Sequence, residues 1–268
     1  MKYLFAKLTK LGAILCMLML VFSGYIAAEI DRASVAGAWL LDRDADDASG
    51  MGNHGEIDTS NGKPVWVKGM FGQAMQTNGA FIVIPHSVSF DLDNITIAAW
   101  INPSEYVNDP RILDKGVDGD PYHAYSLQIS DNPDNTDKDT KLQFRSSIGG
   151  KKPWVGSDAE IPLNTWTHVA ATYDGTRTAI YINGKLEKAV DASGELLKNE
   201  NDIYIGDYQF SDRHFSGLLD EVLLFNVALS EEDISSLMSG FFNSVIAVKP
   251  SQDKNATTWG GIKYQYNY

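Results

Sequence analysis

Two adjacent carboxylates, Asp220 and Glu221, break the run L-L-D-E-V-L-L-F, in which both alternate faces are otherwise hydrophobic. An unpaired carboxylate buried there would cost several kcal/mol, so at least one needs a partner or must reach solvent. A bound cation, a buried arginine or backbone N–H donors would each satisfy it. The second acidic cluster is Asp42, Asp44, Asp46 and Asp47, followed by Ser49, Gly50, Gly52, Asn53 and Gly55. Its glycines allow the backbone to turn carbonyl oxygens toward a hard cation such as Ca2+. The spacing is not that of an EF-hand, because Asp47 stands where the loop glycine belongs and Asn53 where the bidentate glutamate belongs. Plain solvated or arginine-paired acids are the competing reading. A third run, Asp131, Asp134, Asp137 and Asp139, has no apolar flank to turn it inward and reads as a solvated loop.

Catalytic patterns are missing. Hydrolysis of a glycosidic bond needs two carboxyl groups about 5–10 Å apart across a cleft. Asp220 and Glu221 are neighbours on one strand and are expected to face opposite sides of it. His54, His86, His123, His168 and His214 show no H-E-x-x-H or other paired metal spacing. There is no G-x-S-x-G and no phosphate-cradling loop. His168, inside a strand-like run, reads as a core histidine. Sugar binding, by contrast, needs exposed aromatic faces beside hydrogen-bonding groups. Trp154, Tyr122, Tyr208, Phe210 and His214 are the loop candidates, with Trp154 in the polar stretch G-G-K-K-P-W-V-G. An aromatic that merely anchors its own loop is the alternative for Trp154. Trp39, Trp66, Trp100 and Trp166 sit in apolar, strand-like contexts and read as core. Asn94 and Asn255 open N-x-T sequons.

The elements that must position these residues are strands. The clearest stretch is 166–185, W-T-H-V-A-A-T-Y-D-G-T-R-T-A-I-Y-I-N-G-K. Val169, Ala171 and Tyr173 share one face, Ile180 and Ile182 another, and D-G and N-G suit type I′ turns. Shorter runs of the same kind lie at 35–42, 64–72, 80–85, 95–101, 111–115, 122–129, 141–146, 202–205 and 218–225. This pattern predicts an all-β, antiparallel two-sheet sandwich spanning 35–239. One short helix is expected at 231–239, capped by Ser230, with Glu231, Glu232 and Asp233 at its positive end and Gly240 beyond its last turn. Residues 240–268 change texture and read as a separate tail.

The first 28 residues have the layout of a secretory signal. Lys2, Lys7 and Lys10 precede an uncharged apolar run at 11–25, and small residues end at Ala28. Cleavage after Ala28 is expected, with a retained membrane anchor as the alternative. Lipid attachment at Cys16 is excluded by the bulky Leu15 before it. Cys16 is the only cysteine, so the mature chain has no disulfide, catalytic thiolate or cysteine-bound zinc. No membrane span is expected in the mature chain. A formal charge of -13 argues against nucleic acid as a partner and suits Ca2+, neutral glycans or simple solubility.

Taken together, these segments resemble a laminin-G-like jelly roll of the concanavalin A-like lectin/glucanase superfamily. The resemblance rests on A-W-L-L-D, D-A-S-G-M-G-N-H-G, V-K-G-M-F-G-Q-A-M, F-I-V-I-P-H-S, I-T-I-A-A-W-I-N-P, R-I-L-D-K-G, N-T-W-T-H-V-A-A-T-Y-D-G, I-Y-I-N-G-K, I-Y-I-G and F-S-G-L-L-D-E-V-L-L-F-N-V-A-L-S, in that order. It implies two antiparallel sheets of about six or seven strands packed face to face. It also implies a Ca2+ site where the loop resembling 47–55 meets the strand acid, which carries over to Asp47, Asn53 and Asp220, with Glu221 as a further candidate. Glucanases of this fold use an E-x-D-x-x-E strand, and no such run occurs here. The tail resembles an extension seen after such domains in exported bacterial proteins. The expectation is an exported, non-catalytic module that binds a carbohydrate or an extracellular protein and resides in the periplasm, at the cell surface or in the medium. A glycoside hydrolase or polysaccharide lyase on the same fold is one alternative, and a structural surface component is the other.

Overall fold

The computed structural model describes residues 30–106, 109–116, 123–130, 140–207 and 213–241. The signal segment, Tyr122, Tyr208, Phe210, the 131–139 acidic run and the tail from 242 onward lie outside the described residues. Two antiparallel sheets form the body. The first has eight strands, ordered β13 (Lys185–Asp191), β12 (Arg177–Ile182), β11 (Thr167–Tyr173), β6 (Ile95–Pro103), β15 (Gly217–Phe225), β4 (Gln73–Gln76) and β3 (Val65–Lys68), with β1 (Val35–Trp39) also paired to β15. The second has seven, ordered β10 (Trp154–Glu160), β9 (Lys141–Ser146), β8 (His123–Ser130), β7 (Arg111–Gly116), β14 (Ile203–Ile205), β5 (Phe81–Ile84) and β2 (Glu56–Asp58). The architecture is the expected jelly-roll sandwich.

Period-2 alternation builds the core. Ile97, Ala99 and Ile101 of β6 and Val169, Ala171 and Tyr173 of β11 face Leu127 and Ile129 of β8 and Leu142 and Phe144 of β9. The alternate residues of the first sheet, Ala98, Ala170, Ala179 and Tyr181, are buried too. They pack with Leu223, Phe225, Ile234 and Leu237 beneath the helix α1 (Glu231–Leu237). Burial on both faces explains why β6 and β15 read as nearly continuous apolar runs. The helix is closed at its start by a capping box between Ser230 and Asp233, and Gly240 beyond its end takes φ 94°.

The central meander has the expected register, with Val169 opposite Ile182 and Ala171 opposite Ile180. Asn183 and Gly184 both adopt positive φ, as a type I′ turn requires. Asp174-Gly175 departs from that expectation. Only Gly175 is left-handed, and the Asp174 carboxylate instead caps the turn by accepting from the backbone N–H groups of Thr176 and Arg177.

Three strands were not apparent from hydrophobic pattern: β2, β4 and β10. Each carries exposed or half-buried polar residues. The first strand is shorter than its apolar run, because Leu41 and Arg43 adopt φ of 58° and 84° and turn the chain out of the sheet.

Candidate functional site on the outer face of the seven-stranded sheet

Direct cross-strand pairing lines up Tyr204, Asp114, Ser126, Arg145 and Trp154 across β14, β7, β8, β9 and β10. Residues directly opposite each other share a sheet face. Leu127, Phe144 and Val155 alternate with this row and fill the core, so the row stands on the outer face. Asp114 is the buried centre. His123 Nδ1 and Arg111 Nε lie 3.1 and 3.4 Å from its oxygens. Burial pushes its carboxyl up, but the adjoining His123 and Arg111 outweigh that and hold it below the usual range. One step along the strands, Gln143 Oε1 accepts from Gln128 Nε2 at 3.0 Å and from Arg145 Nε at 2.6 Å.

A cleft of about 330 Å³ opens on this face, lined by His123, Arg145, Ser146, Ser147, Lys152, Pro153 and Trp154. A second depression of about 480 Å³ shares Ser147 and Lys152 with it, which leaves room for a ligand longer than one ring. Trp154 is not in a loop. It is the first residue of β10, directly opposite Arg145, and its side chain is 61% exposed. Just before it, Gly149 and Gly150 make a two-residue turn closed by the Ile148–Lys151 bridge. Of the aromatic candidates, Trp154 alone lines this cleft among the described residues. His214 is paired with the buried Asp207, its Nδ1 2.6 Å from Oδ2. Arg111, Asp114, Ser126, Gln143 and Arg145 were missed by motif reading. Their trace was the polar half of the alternation in 123–130 and 141–146.

The proposed metal ligands divide between two places. Asp47 and Asn53 do meet, but as hydrogen-bonding partners. Asp47 Oδ1 accepts from the N–H groups of Ala38 and Ser49 at 3.0 and 2.9 Å. Its Oδ2 accepts from Ser49 Oγ at 2.8 Å and Asn53 N at 2.9 Å. The Asn53 side-chain amide donates to Ala36 O and Ser89 Oγ, and the Asn53 main-chain carbonyl accepts from Trp39 Nε1. A carboxylate ringed by four donors has no lone pair directed at a cation, so this loop does not fit Ca2+. The D-x-S-G-x-G-N segment instead pins itself to β1.

Asp220 lies against a different turn. Its Oδ2 accepts from Phe71 N at 3.0 Å, while Oδ1 is buried without a hydrogen-bond partner. The neighbouring carboxylate is Asp42, whose Oδ1 accepts from Gln73 N at 2.6 Å. Gly69 and Gly72 permit this approach, since a Cβ there would stand 2.5 Å from Asp220 Oδ2 and 2.1 Å from Asp42 Oδ1. Glu221 does not simply face away from Asp220. A bulge between Asp220 and Leu223 gives Glu221 φ 50°, and its carboxylate accepts from Phe241 N at 2.6 Å. Burial drives the Asp220 carboxyl up to about 7; the Phe71 N–H opposes this, and repulsion from Glu221 and Asp42 adds to it. Among the described residues, no group of three or more His, Cys, Asp or Glu is arranged to hold a metal ion. His168 is a core residue, edge-on to Trp100, and burial holds its imidazole down at about 4.

The Laminin_G_3 family model, described as Concanavalin A-like lectin/glucanases superfamily, matches residues 76–235, and the chain belongs to this superfamily. Over 163 residues it is 25% identical to pentraxin-related protein PTX3 of Bos taurus, a match taking in 58% of this chain and 39% of that protein. The chain thus spans about two fifths of that curated relative. Among solved structures, domain 4 of AbnA is similar in fold. AbnA is an extracellular GH43 arabinanase from Geobacillus stearothermophilus, and its domain 4 was solved with arabinotriose (TM-score 0.63, 21% identity, 76% of this chain and 98% of that one). So is the binding domain of Paraclostridial Mosquitocidal Protein 1, with TM-score 0.61 and 17% identity over 79% of this chain and 53% of that one. No helix among the described residues is long and apolar enough to cross a membrane.

Proposed function

We propose that this chain is an exported, non-catalytic module that binds a carbohydrate in the cleft beside Trp154. The carrying observation is an aromatic face, 61% exposed, in a polar cleft on one sheet face. Sugar C–H faces stack on such rings while their hydroxyls bond the polar groups beside them. The arabinotriose complex of the similarly folded arabinanase domain supports the class of ligand. The cleft beside Trp154 has no carboxylate in its lining among the described residues, which favours binding over hydrolysis there. Asp114 is spent on His123 and Arg111, while Asp220 and Glu221 belong to the other sheet.

Isothermal titration against a panel of plant, bacterial and animal oligosaccharides tests this. Trp154→Ala should weaken the bound sugar about 30-fold, or ~2 kcal/mol, with no fall in melting temperature because the ring is exposed. No sugar released from the same panel is the expected companion result. An unchanged affinity in the variant, or silence across the panel beside capture of an extracellular protein, would overturn the carbohydrate reading.

A structural Ca2+ ion is a second reading, and the buried, unpartnered Oδ1 of Asp220 favours it at that place rather than at Asp47. Asp220 and Asp42 would hold the ion and it would supply charge neutralisation there. Millimolar Ca2+ should then raise the melting temperature at pH 7.5, EGTA should reverse it, and Asp220→Asn should abolish the response. A melting temperature indifferent to Ca2+ removes the ion.

A further inference from the structure

The cleft beside Trp154 is cationic in an acidic protein. The chain carries a formal charge of -13, yet Arg145, Lys152 and His123 line the cleft and no carboxylate does among the described residues. The buried acid of the same row, Asp114, is engaged by His123 and Arg111.

Arg145 is held for recognition. Its Nε donates to Gln143 Oε1 at 2.6 Å, and Gln143 is fixed in turn by Gln128 at 3.0 Å. The terminal guanidinium nitrogens make no hydrogen bond among the described residues. Arg145 is also the direct cross-strand partner of Trp154, so the fork and the ring stand side by side on one face. A planar fork fits a carboxylate or sulfate in bidentate fashion, and the adjoining ring fits a pyranose face. Burial, against the pull of Asp114, loosens the proton of Arg111, and the fields of Arg213 and Arg145 loosen it further. An anion in the cleft would relieve that repulsion.

We propose that this cleft selects an anionic sugar, whose carboxylate or sulfate meets the Arg145 guanidinium while its ring lies on Trp154. The inference rests on the carbohydrate reading of the cleft and names the ligand class. Lys152, at the mouth, contributes longer-range attraction. A neutral sugar offers Arg145 hydroxyl acceptors in place of a charge-assisted bidentate pair, and that difference is the source of selectivity.

The test titrates the full chain with oligogalacturonate against its methyl ester, and with sulfated galactan oligosaccharides against their desulfated form. The two pairs separate carboxylate from sulfate recognition. One charged member should bind at least about tenfold tighter than its neutralised partner, and Arg145→Gln should erase that difference. Trp154→Ala should weaken both members of the pair. Lys185→Gln removes one charge on the other sheet and should leave binding unchanged. With the unaltered protein, raising salt from about 0.05 to 0.5 M should weaken only the charged ligand. That arm remains decisive should the Arg145 variant fail to fold. Equal, salt-insensitive affinity within each pair, with Trp154 still required, would overturn the anionic inference and leave the carbohydrate site standing. Absence of binding by every sugar, charged or neutral, would overturn both.

Discussion

Asp47→Ala is expected to lower the unfolding free energy by about 3–5 kcal/mol. The estimate takes each buried N–H donor left without an acceptor near the lower end of about 1–3 kcal/mol, since water reaches part of the loop. Ala38 N, Ser49 N and Asn53 N all point at this carboxylate, and the three residues are buried. The loss also frees the 47–55 loop from β1 and exposes Trp39, whose Nε1 is bonded to the Asn53 carbonyl. Asp47→Asn should recover little, since its NH2 group presents a donor to surrounding donors. Urea unfolding followed by tryptophan fluorescence measures the change. A loss below about 1 kcal/mol would mean that water replaces the carboxylate and that the loop does not anchor the first strand.

The second large effect concerns Asp220 and reverses the usual sign for an acid. Its carboxyl titrates near 7 in the fold against an ordinary 3.8. Between those values the folded protein holds a proton that the unfolded chain has released. The stabilising contribution is therefore complete below about pH 4 and is lost as pH rises toward 7. Above that, a charge is buried beside Phe71 with Oδ1 unpartnered. A shift of this size corresponds to about 2–4 kcal/mol. Asp220→Asn should consequently be more stable than the parent at pH 8 in EGTA by that order, while the two converge near pH 4. The difference between parent and variant is the useful quantity, because other carboxylates impose opposite slopes. A difference constant from pH 4 to 8 would show that Asp220 is ionised throughout. If Ca2+ binds at Asp220, the parent regains stability at pH 8 when the ion is added and the variant does not. Proton and metal would then be alternative occupants of one oxygen, and the two titrations separate them.

Much of the fold was legible because strand alternation is a local property. Val169, Ala171 and Tyr173 face the core as their spacing requires, and Ser230 caps the helix as its chemistry requires. The strands that escaped notice, β2, β4 and β10, carry too few apolar residues to show a pattern. The candidate cleft was legible only through Trp154. Arg145 and Gln143 looked like the solvent side of a strand, and Asp114 like an acid in a short apolar run.

The sequence alone determined the sandwich, its inward faces and the lack of any cysteine beyond Cys16, since composition and periodicity need no knowledge of distant neighbours. Tertiary structure decided which polar residues meet. Register across β14, β7, β8, β9 and β10 joins Tyr204, Asp114, Ser126, Arg145 and Trp154, which are far apart in the chain, into one row. The bulge after Asp220 turns Glu221 to Phe241, and the 69–72 turn brings Asp42, not Asp47, beside Asp220. Both outcomes depend on long-range pairing and loop closure, which no local spacing encodes.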